Sequence, residues 1–281
     1  MTASMIIVTT LEELFYARRL LDGPVGLVPT MGFLHAGHIS LVQQARNDCK
    51  SVITSIFVNP TQFGPNEDLD KYPRNIERDL QLLEAAQVDI VWMPTPEIMY
   101  PSGYQTWVEV EKLTKPLEGS MRPGHFRGVT TVVSKLFNAT RPDKAYFGQK
   151  DAQQAAVIRQ MTRDLSYPIE IMVCPILREA DGLAMSSRNT YLDPAQRQAA
   201  TVLYRSLSAA KSAYSGGERN AEKLRQIVKD LIGSESLARL QYVSCADYDT
   251  LDELETVNKK ALLSLAVFMG KTRLIDNFIL D

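Results

Sequence analysis

His35 and His38 stand three residues apart in PTMGFLHAGH, residues 29–38, and the chain has only three histidines in all. The stretch follows a short apolar run, VGLVP at 25–29, and precedes a periodic one. The spacing therefore predicts a turn from strand into helix. Glycines in such a turn let the backbone come close to a ligand. The free N–H groups of a helix start, with their partial positive charge, suit a phosphate. Two imidazoles there add donors for phosphate oxygens. The same pair also admits metal ligation or simple packing. Against a metal, no Cys or carboxylate shares the loop, and structural zinc normally takes four ligands.

Three more stretches carry residues able to do chemistry. FVNPTQFGPNEDLDKYPR, 57–74, offers the Gln62 amide between the apolar Phe57 and Phe63. Its acidic run, Glu67, Asp68 and Asp70, reads as a solvated turn, and Asn59-Pro60 as a simple turn. FGQKDAQQ, 147–154, puts Lys150 at a helix start, where a lysine faces whatever anion the helix end binds. Asp151 reads there as an N-cap. Of Gln153 and Gln154, one must point inward and one outward. PILREADGLAMSSRN, 175–189, offers Ser186, Ser187 and Arg188, two hydroxyls and a guanidinium that suit a polyphosphate. A helix cap with a surface arginine is the plainer reading of the same residues.

Each stretch follows a predicted strand. VGLVP at 25–29, SVITSIFV at 51–58, VDIVW at 88–92, AYFG at 145–148 and IEIMVC at 169–174 read as strands, with a weaker one at 105–110. Helices are expected over 10–21, 37–49, 73–86, 127–139 and 151–164. The first opens on Thr10 with Glu13 three later, a capping-box start. This alternation predicts an α/β fold, a parallel sheet with helices on both faces. Ligands of open parallel sheets bind outside the carboxyl ends of the strands, so four distant loops should share one edge. After Pro175 the texture changes to helices near 194–215 and 218–233 and strands at 240–248, 261–269 and 273–280, the last two joined by a hairpin at Gly270-Lys271. A boundary is expected near 175–190. It divides the chain into domain 1–176 and a smaller α+β domain, 177–281.

Totals exclude several classes. A formal net charge of −2 argues against a basic nucleic-acid binder. MTASMIIVTT has no charged region followed by a long apolar run, so no signal peptide is expected. ALLSLAVFM is too short to span a bilayer, and no membrane partner is expected. Cys49, Cys174 and Cys245 form neither a disulfide framework nor a metal pattern and fit free thiols in a reducing cytoplasm. Gly270-Lys271-Thr272 looks like a P-loop tail, but Leu265 stands where that motif needs glycine, and no G-x-G-x-x-G is present.

Taken together the motifs resemble a known family. His35-Ala36-Gly37-His38 is similar to the HIGH signature of the nucleotidyltransferase superfamily, and Met185-Ser186-Ser187-Arg188 to its degenerate KMSKS partner. PTMGFLHAGH, FVNPTQFGPNEDLDKYPR, RPGHFRGV, FGQKDAQQ and MSSRN, in this order and spacing, resemble the pantothenate synthetase (pantoate–β-alanine ligase) family over essentially the whole chain. That family varies between Gln and Glu at the position of Gln149 and often has Leu in place of Met185.

The resemblance implies a Rossmann-like nucleotide- and pantoate-binding domain, with the C-terminal domain closing over the ATP site, in a cytoplasmic homodimer. It implies condensation of pantoate with β-alanine through a pantoyl adenylate, releasing AMP and pyrophosphate, with Mg²⁺ accompanying ATP. Carried over residue by residue, ATP binding falls on Met31, Gly32, Phe33, Leu34, His35, Ala36, Gly37 and His38, on Gly148, Gln149, Lys150 and Asp151, on Leu177, and on Met185, Ser186, Ser187 and Arg188. His38 would be the proton donor, with His35 and Lys150 beside it in catalysis. Gln62 would bind pantoate and β-alanine, and Gln154 pantoate. His125, in RPGHF, would position a loop.

Three other readings remain at the level of sequence. An adenylyltransferase acting on a phosphorylated acceptor would use the same histidines but needs extra cations. An aminoacyl-tRNA synthetase needs a tRNA-binding domain. A non-catalytic nucleotide-binding regulator would keep the histidine loop and make no pyrophosphate.

Overall fold

The computed structural model describes residues 5–65 and 67–281. The chain divides into two compact units, Met1–Gly148 with Gln154–Pro175, and Gln149–Gln153 with Ile176–Asp281.

The first unit is built on six parallel strands, β1 (Ile6–Val8), β2 (Val25–Thr30), β3 (Ser51–Ile56), β4 (Ile90–Trp92), β5 (Lys144–Gly148) and β6 (Glu170–Cys174), in the order β1-β4-β3-β2-β5-β6. The apolar run of β2 and the β-branched run of β3 are almost wholly buried. Strands covered on both faces lose the alternation of a half-buried sheet. The β2–β3 register runs from Val25 against Ser51 to Thr30 against Ile56. Helices α1 (Leu11–Arg19), α2 (Ala36–Asp48), α3 (Ile76–Ala85), α4 (Pro96–Met99), α5 (Glu118–Met121), α6 (His125–Thr140) and α7 (Ala152–Asp164) lie between and around the strands. The Thr10–Glu13 capping box opens α1 as expected. Leu41, Val42 and Ala45 of α2 and Leu83 of α3 pack with Val28, Val52 and Val91 of the sheet.

From β2 the chain proceeds outward through β3 to β4, then returns to the other side of β2 with β5 and β6. Strand order reverses between β2 and β5, and a crevice at such a point is where open α/β sheets take ligands. Because all six strands run parallel, the chain leaves the sheet at Thr30, Ile56, Gly148 and Cys174 on one edge. Each fully buried Leu or Ile of the sheet stabilises by about 1.5–3 kcal/mol. A loop hydrogen bond nets about 1 kcal/mol. The sheet is therefore the rigid part, and the loops are carried on it.

One expected strand is absent and one strand was not foreseen. Residues 105–110 form no strand. The Val108 N–H donates to Thr131 Oγ1 at 3.1 Å and its carbonyl accepts from Thr130 Oγ1 at 2.6 Å, so side chains of α6 occupy the groups a ladder would use. The three-residue β1 was too short to show a period and appears beside β4.

In the second unit α8 (Pro194–Ala199), α9 (Val202–Ser215) and α10 (Ala221–Gly233) precede an antiparallel sheet of β7 (Ala238–Asp247), β8 (Ala261–Met269) and β9 (Thr272–Leu280). Leu203, Leu207, Leu224 and Val228 of the helices form one core with Leu263, Leu265 and Leu274 of the sheet. The hairpin turns at Gly270 and Lys271, as expected. The single helix expected over 194–215 is two. Around Thr201 the bonds shorten to three-residue spacing, Thr201 N to Gln198 O and Leu203 N to Ala200 O. No helix among the described residues is long and apolar enough to cross a membrane.

Candidate functional site

The first loop begins where β2 ends. Thr30 Oγ1 donates to the Ser55 carbonyl at 2.7 Å and accepts from the Gly32 N–H at 3.2 Å. Gly32 (φ 83°) and Phe33 (φ 50°) then turn the chain in the left-handed region. For Phe33 this costs about 1–2 kcal/mol. The Phe33 and Leu34 N–H groups both donate to the Asp79 carboxylate, each at 2.7 Å, and these charge-assisted bonds offset the strain. Asp79, on α3, is 0% exposed. Arg78 Nη1 holds the Leu34 carbonyl at 2.9 Å. A pocket of about 230 Å³ opens beside this loop, with Met31, Phe33, Phe57, Arg74 and Asp79 in its wall.

The two histidines cap α2 and each other. His35 is the N-cap, and its Nδ1 accepts from the Gly37 N–H at 3.1 Å. His38 Nδ1 accepts from the His35 N–H at 3.2 Å. This is a capping box with imidazoles as the acceptors. It accounts for the spacing of three, because N-cap and N3 are the positions that can reach each other's backbone. The ring centroids lie 4.0 Å apart. An imidazole that accepts at Nδ1 carries its hydrogen on Nε2 and donates from there.

Gln62 ends a short 3-10 turn, Pro60–Gln62, after β3. Its Oε1 accepts from Asn59 Nδ2 at 3.1 Å, and its Nε2 lies 3.1 Å from Met31 Sδ, which joins the second loop to the first. Asn59 is more than a turn residue. It is 1% exposed, its Oδ1 accepts from Thr61 Oγ1 and Tyr100 OH, each at 2.9 Å, and its Nδ2 also donates to the Gly128 carbonyl at 3.2 Å. Gly128 lets α6 come this close, since a Cβ there would sit 2.4 Å from the Thr61 carbonyl oxygen. His125 positions this turn. Burial, and then the Arg122 guanidinium, push its pKa down to about 4. The neutral ring donates from Nδ1 to the Gln62 carbonyl at 2.8 Å and accepts at Nε2 from Arg122 Nη1 at 3.1 Å. Arg122 in turn grips Glu67 with two bonds of 2.6 and 2.7 Å, so the acidic run is partly structural. In the first turn of α7, Gln153 is the buried glutamine and Gln154 the half-buried one.

In the second unit Lys150 Nζ lies 3.8 Å from Asp151 Oδ2. The Leu177 carbonyl accepts from the Met185 N–H at 3.0 Å, closing a hairpin of residues 177–185. Ser186 caps the 3-10 turn Ser187–Tyr191, accepting from the Arg188 N–H at 3.3 Å. The capping reading of these residues thus holds together with a place for Ser187, which is buried, and Arg188, which is half-buried.

Sequence reasoning missed Asp79, Asn59 and Gly128. Asp79 left a signal, an acid three after Ile76 and four before Leu83 on the apolar stripe of α3. Asn59 and Gly128 left none. Among the described residues no group of three or more His, Cys, Asp or Glu could hold a metal ion.

Residues 6–279 match the family model described as pantoate-beta-alanine ligase. A pantothenate synthetase of Roseiflexus sp. (strain RS-1) is 60% identical over 277 residues, covering 99% of this chain and 100% of the relative. The crystal structure of pantothenate synthetase from Thermus thermophilus superposes with a TM-score of 0.94 at 44% identity, covering 98% of this chain and 99% of that one. Pantoate-beta-alanine ligase from Francisella tularensis, crystallised with beta-gamma ATP and beta-alanine, has a TM-score of 0.81 at 36% identity, with 98% of each chain covered.

Proposed function

The chain belongs to the pantoate–β-alanine ligase family, and from that premise we propose how its residues make the amide bond. It is an enzyme, a ligase joining pantoate to β-alanine. In the first step a pantoate carboxylate oxygen attacks the α-phosphorus of ATP, and the bond to pyrophosphate breaks. In the second the β-alanine nitrogen attacks the acyl carbon of the pantoyl adenylate. AMP leaves and the nitrogen loses a proton.

No protein nucleophile is needed, because the adenylate is itself the activated acid. Catalysis is then alignment and stabilisation of charge on phosphate oxygens. ATP is bound by Met31–His38, Gly148–Asp151, Leu177 and Met185–Arg188. The observation that carries this reading is the reciprocal histidine cap. It fixes both imidazole rings at a helix start, beside the carboxyl edge of the sheet, with each Nδ1 turned to the backbone. His38 is the proton donor in the sense of a hydrogen bond, its N–H donating to phosphate oxygens as charge develops while the proton stays on the ring. Lys150 neutralises phosphate charge. Gln62, with its amide oriented by Asn59 and Met31, holds pantoate and lies next to β-alanine, and Gln154 holds pantoate. Neutral amides orient a carboxylate without holding it back from the phosphorus.

Mg²⁺ enters with ATP. It takes oxygen ligands and is commonly held through substrate phosphates. The imidazoles, lysine and amides of these loops are suited to donate to phosphate rather than to ligate a hard cation. The enzyme works as a homodimer in the cytoplasm, a placement supported by three buried free thiols, Cys49, Cys174 and Cys245.

Pantoate-dependent exchange between ATP and labelled pyrophosphate, without β-alanine, tests the reading. Gln62→Ala and Gln154→Ala should each lower use of pantoate by about 5- to 150-fold, the equivalent of roughly 1–3 kcal/mol for an unpaired hydroxyl. ATP binding by calorimetry should stay nearly unchanged. Wild-type pantoate dependence in both variants would remove the glutamines from the site. Absence of exchange in the unmutated protein would remove the adenylate.

A further inference from the structure

Strand β9 carries two adjacent polar residues, Asp276 and Asn277, that are 1% and 3% exposed. Asp and Asn are poor strand residues, and an apolar pair would stabilise a buried strand as well or better. What they hold explains them. Asn277 Oδ1 accepts from Gln149 Nε2 at 3.0 Å, while its Nδ2 donates to the Gln149 carbonyl at 3.0 Å and to the Lys150 carbonyl at 2.9 Å. One side chain thus uses both ends of its amide on the two residues that set where Lys150 stands. Asp276 grips Arg178 with two bonds of 2.7 and 2.8 Å, and Arg178 Nη1 also holds the Gly182 carbonyl at 3.0 Å inside the hairpin of residues 177–185. The Tyr204 and Phe278 rings each lie 4.9 Å from that guanidinium. Successive side chains of a strand leave on opposite faces. One dipeptide of the C-terminal sheet therefore reaches two loops.

We infer that Asn277 is a positioning residue for adenylate formation, holding the backbone of the Lys150 turn so that the ammonium group is fixed where phosphate charge must be neutralised. The inference rests on the role proposed above for Lys150. Asn277 touches no reacting atom and acts only through that turn.

A double-mutant cycle tests it. Single-turnover adenylate formation from ATP and pantoate is measured beside the reaction of supplied pantoyl adenylate with β-alanine. Lys150→Ala and Asn277→Ala should each slow the first reaction by about 10-fold or more and leave the second within about 3-fold. The double variant should be no slower than Lys150→Ala alone, because residues acting as one unit are not additive. Losses that multiply would overturn the proposal. Asn277→Asp keeps the size of the side chain and an acceptor for Gln149 but sets an oxygen against two carbonyls. It carries the same expectation should Asn277→Ala fail to fold, and wild-type adenylate formation by the folded Asp variant would also overturn the proposal. If Lys150→Ala forms adenylate at the wild-type rate, the role of Lys150 itself falls, and this inference with it.

Discussion

The histidine turn and the lysine turn are built in opposite ways. His35 and His38 close their capping box across three residues, and the acceptor that steadies the approach to it, Asp79, comes from a helix of the same unit. The Lys150 turn makes its ties to Asn277, 127 positions along the chain. The Gln62 turn is intermediate, since Asn59 organises it locally while His125 and Gly128 of α6 press on it from 63 and 69 positions away. A locally built turn can lose a functional side chain and keep its shape. A turn held from afar loses its shape when the distant contact goes.

The largest effect should come at the local end. His38→Ala is expected to lower kcat by about 10²-fold or more, while the thermal midpoint falls little, since only one cap acceptor is lost. Near-normal turnover of the folded variant would remove His38 from the mechanism. A large fall in Tm would show that the turn is less self-sufficient than the comparison holds.

Gly128→Ala probes the long-range case. The added methyl must push α6 away from Thr61, a clash worth about 1–3 kcal/mol. We expect kcat/KM for pantoate to fall by about 10- to 100-fold, with ATP affinity by calorimetry unchanged. An equal loss for both substrates would mean that the Gln62 turn is not the element disturbed.

His125 makes the same turn sensitive to acid. Its pKa falls from 6.5 in the unfolded chain to about 4 in the folded protein, so the unfolded chain binds the proton more readily. The stability it contributes is complete above pH 6.5 and is lost as the pH falls toward 4, about 2 kcal/mol of it by pH 5. Urea midpoints at pH 7 and pH 5 should therefore converge in His125→Gln relative to wild type. A pH dependence unchanged by the substitution would exclude His125 as its source.

The smallest effect is expected at Asp79. Asp79→Asn keeps one acceptor for the Phe33 and Leu34 N–H groups and should cost about 1 kcal/mol, with a rise in KM for ATP. Denaturant unfolding and steady-state kinetics would measure both. A stability loss with KM for ATP unmoved would mean that the histidine turn needs nothing beyond its own capping box.

The candidate residues were legible as polar groups in the loops after predicted strands: the histidine pair, Lys150, the two serines and the glutamines. The parallel sheet followed from strands and helices in alternation. The Ser186 cap was also visible, since capping depends on residues two or three apart. Such features are local, and a linear sequence records local relations directly.

Tertiary structure decided the rest. Residues 105–110 have strand-like composition, yet threonines of α6 took their hydrogen bonds. Asn59 looked like a turn residue until Tyr100 and Gly128 were brought to it. Asn277 carried no signal within the strand expected over 273–280, and its partners at Gln149 and Lys150 lie 127 or more positions away. In each case a hydrogen-bonding group has several partners it could satisfy, and the choice falls to whichever the packed core brings within about 3 Å. The sequence states the need for a partner, but only burial selects which one.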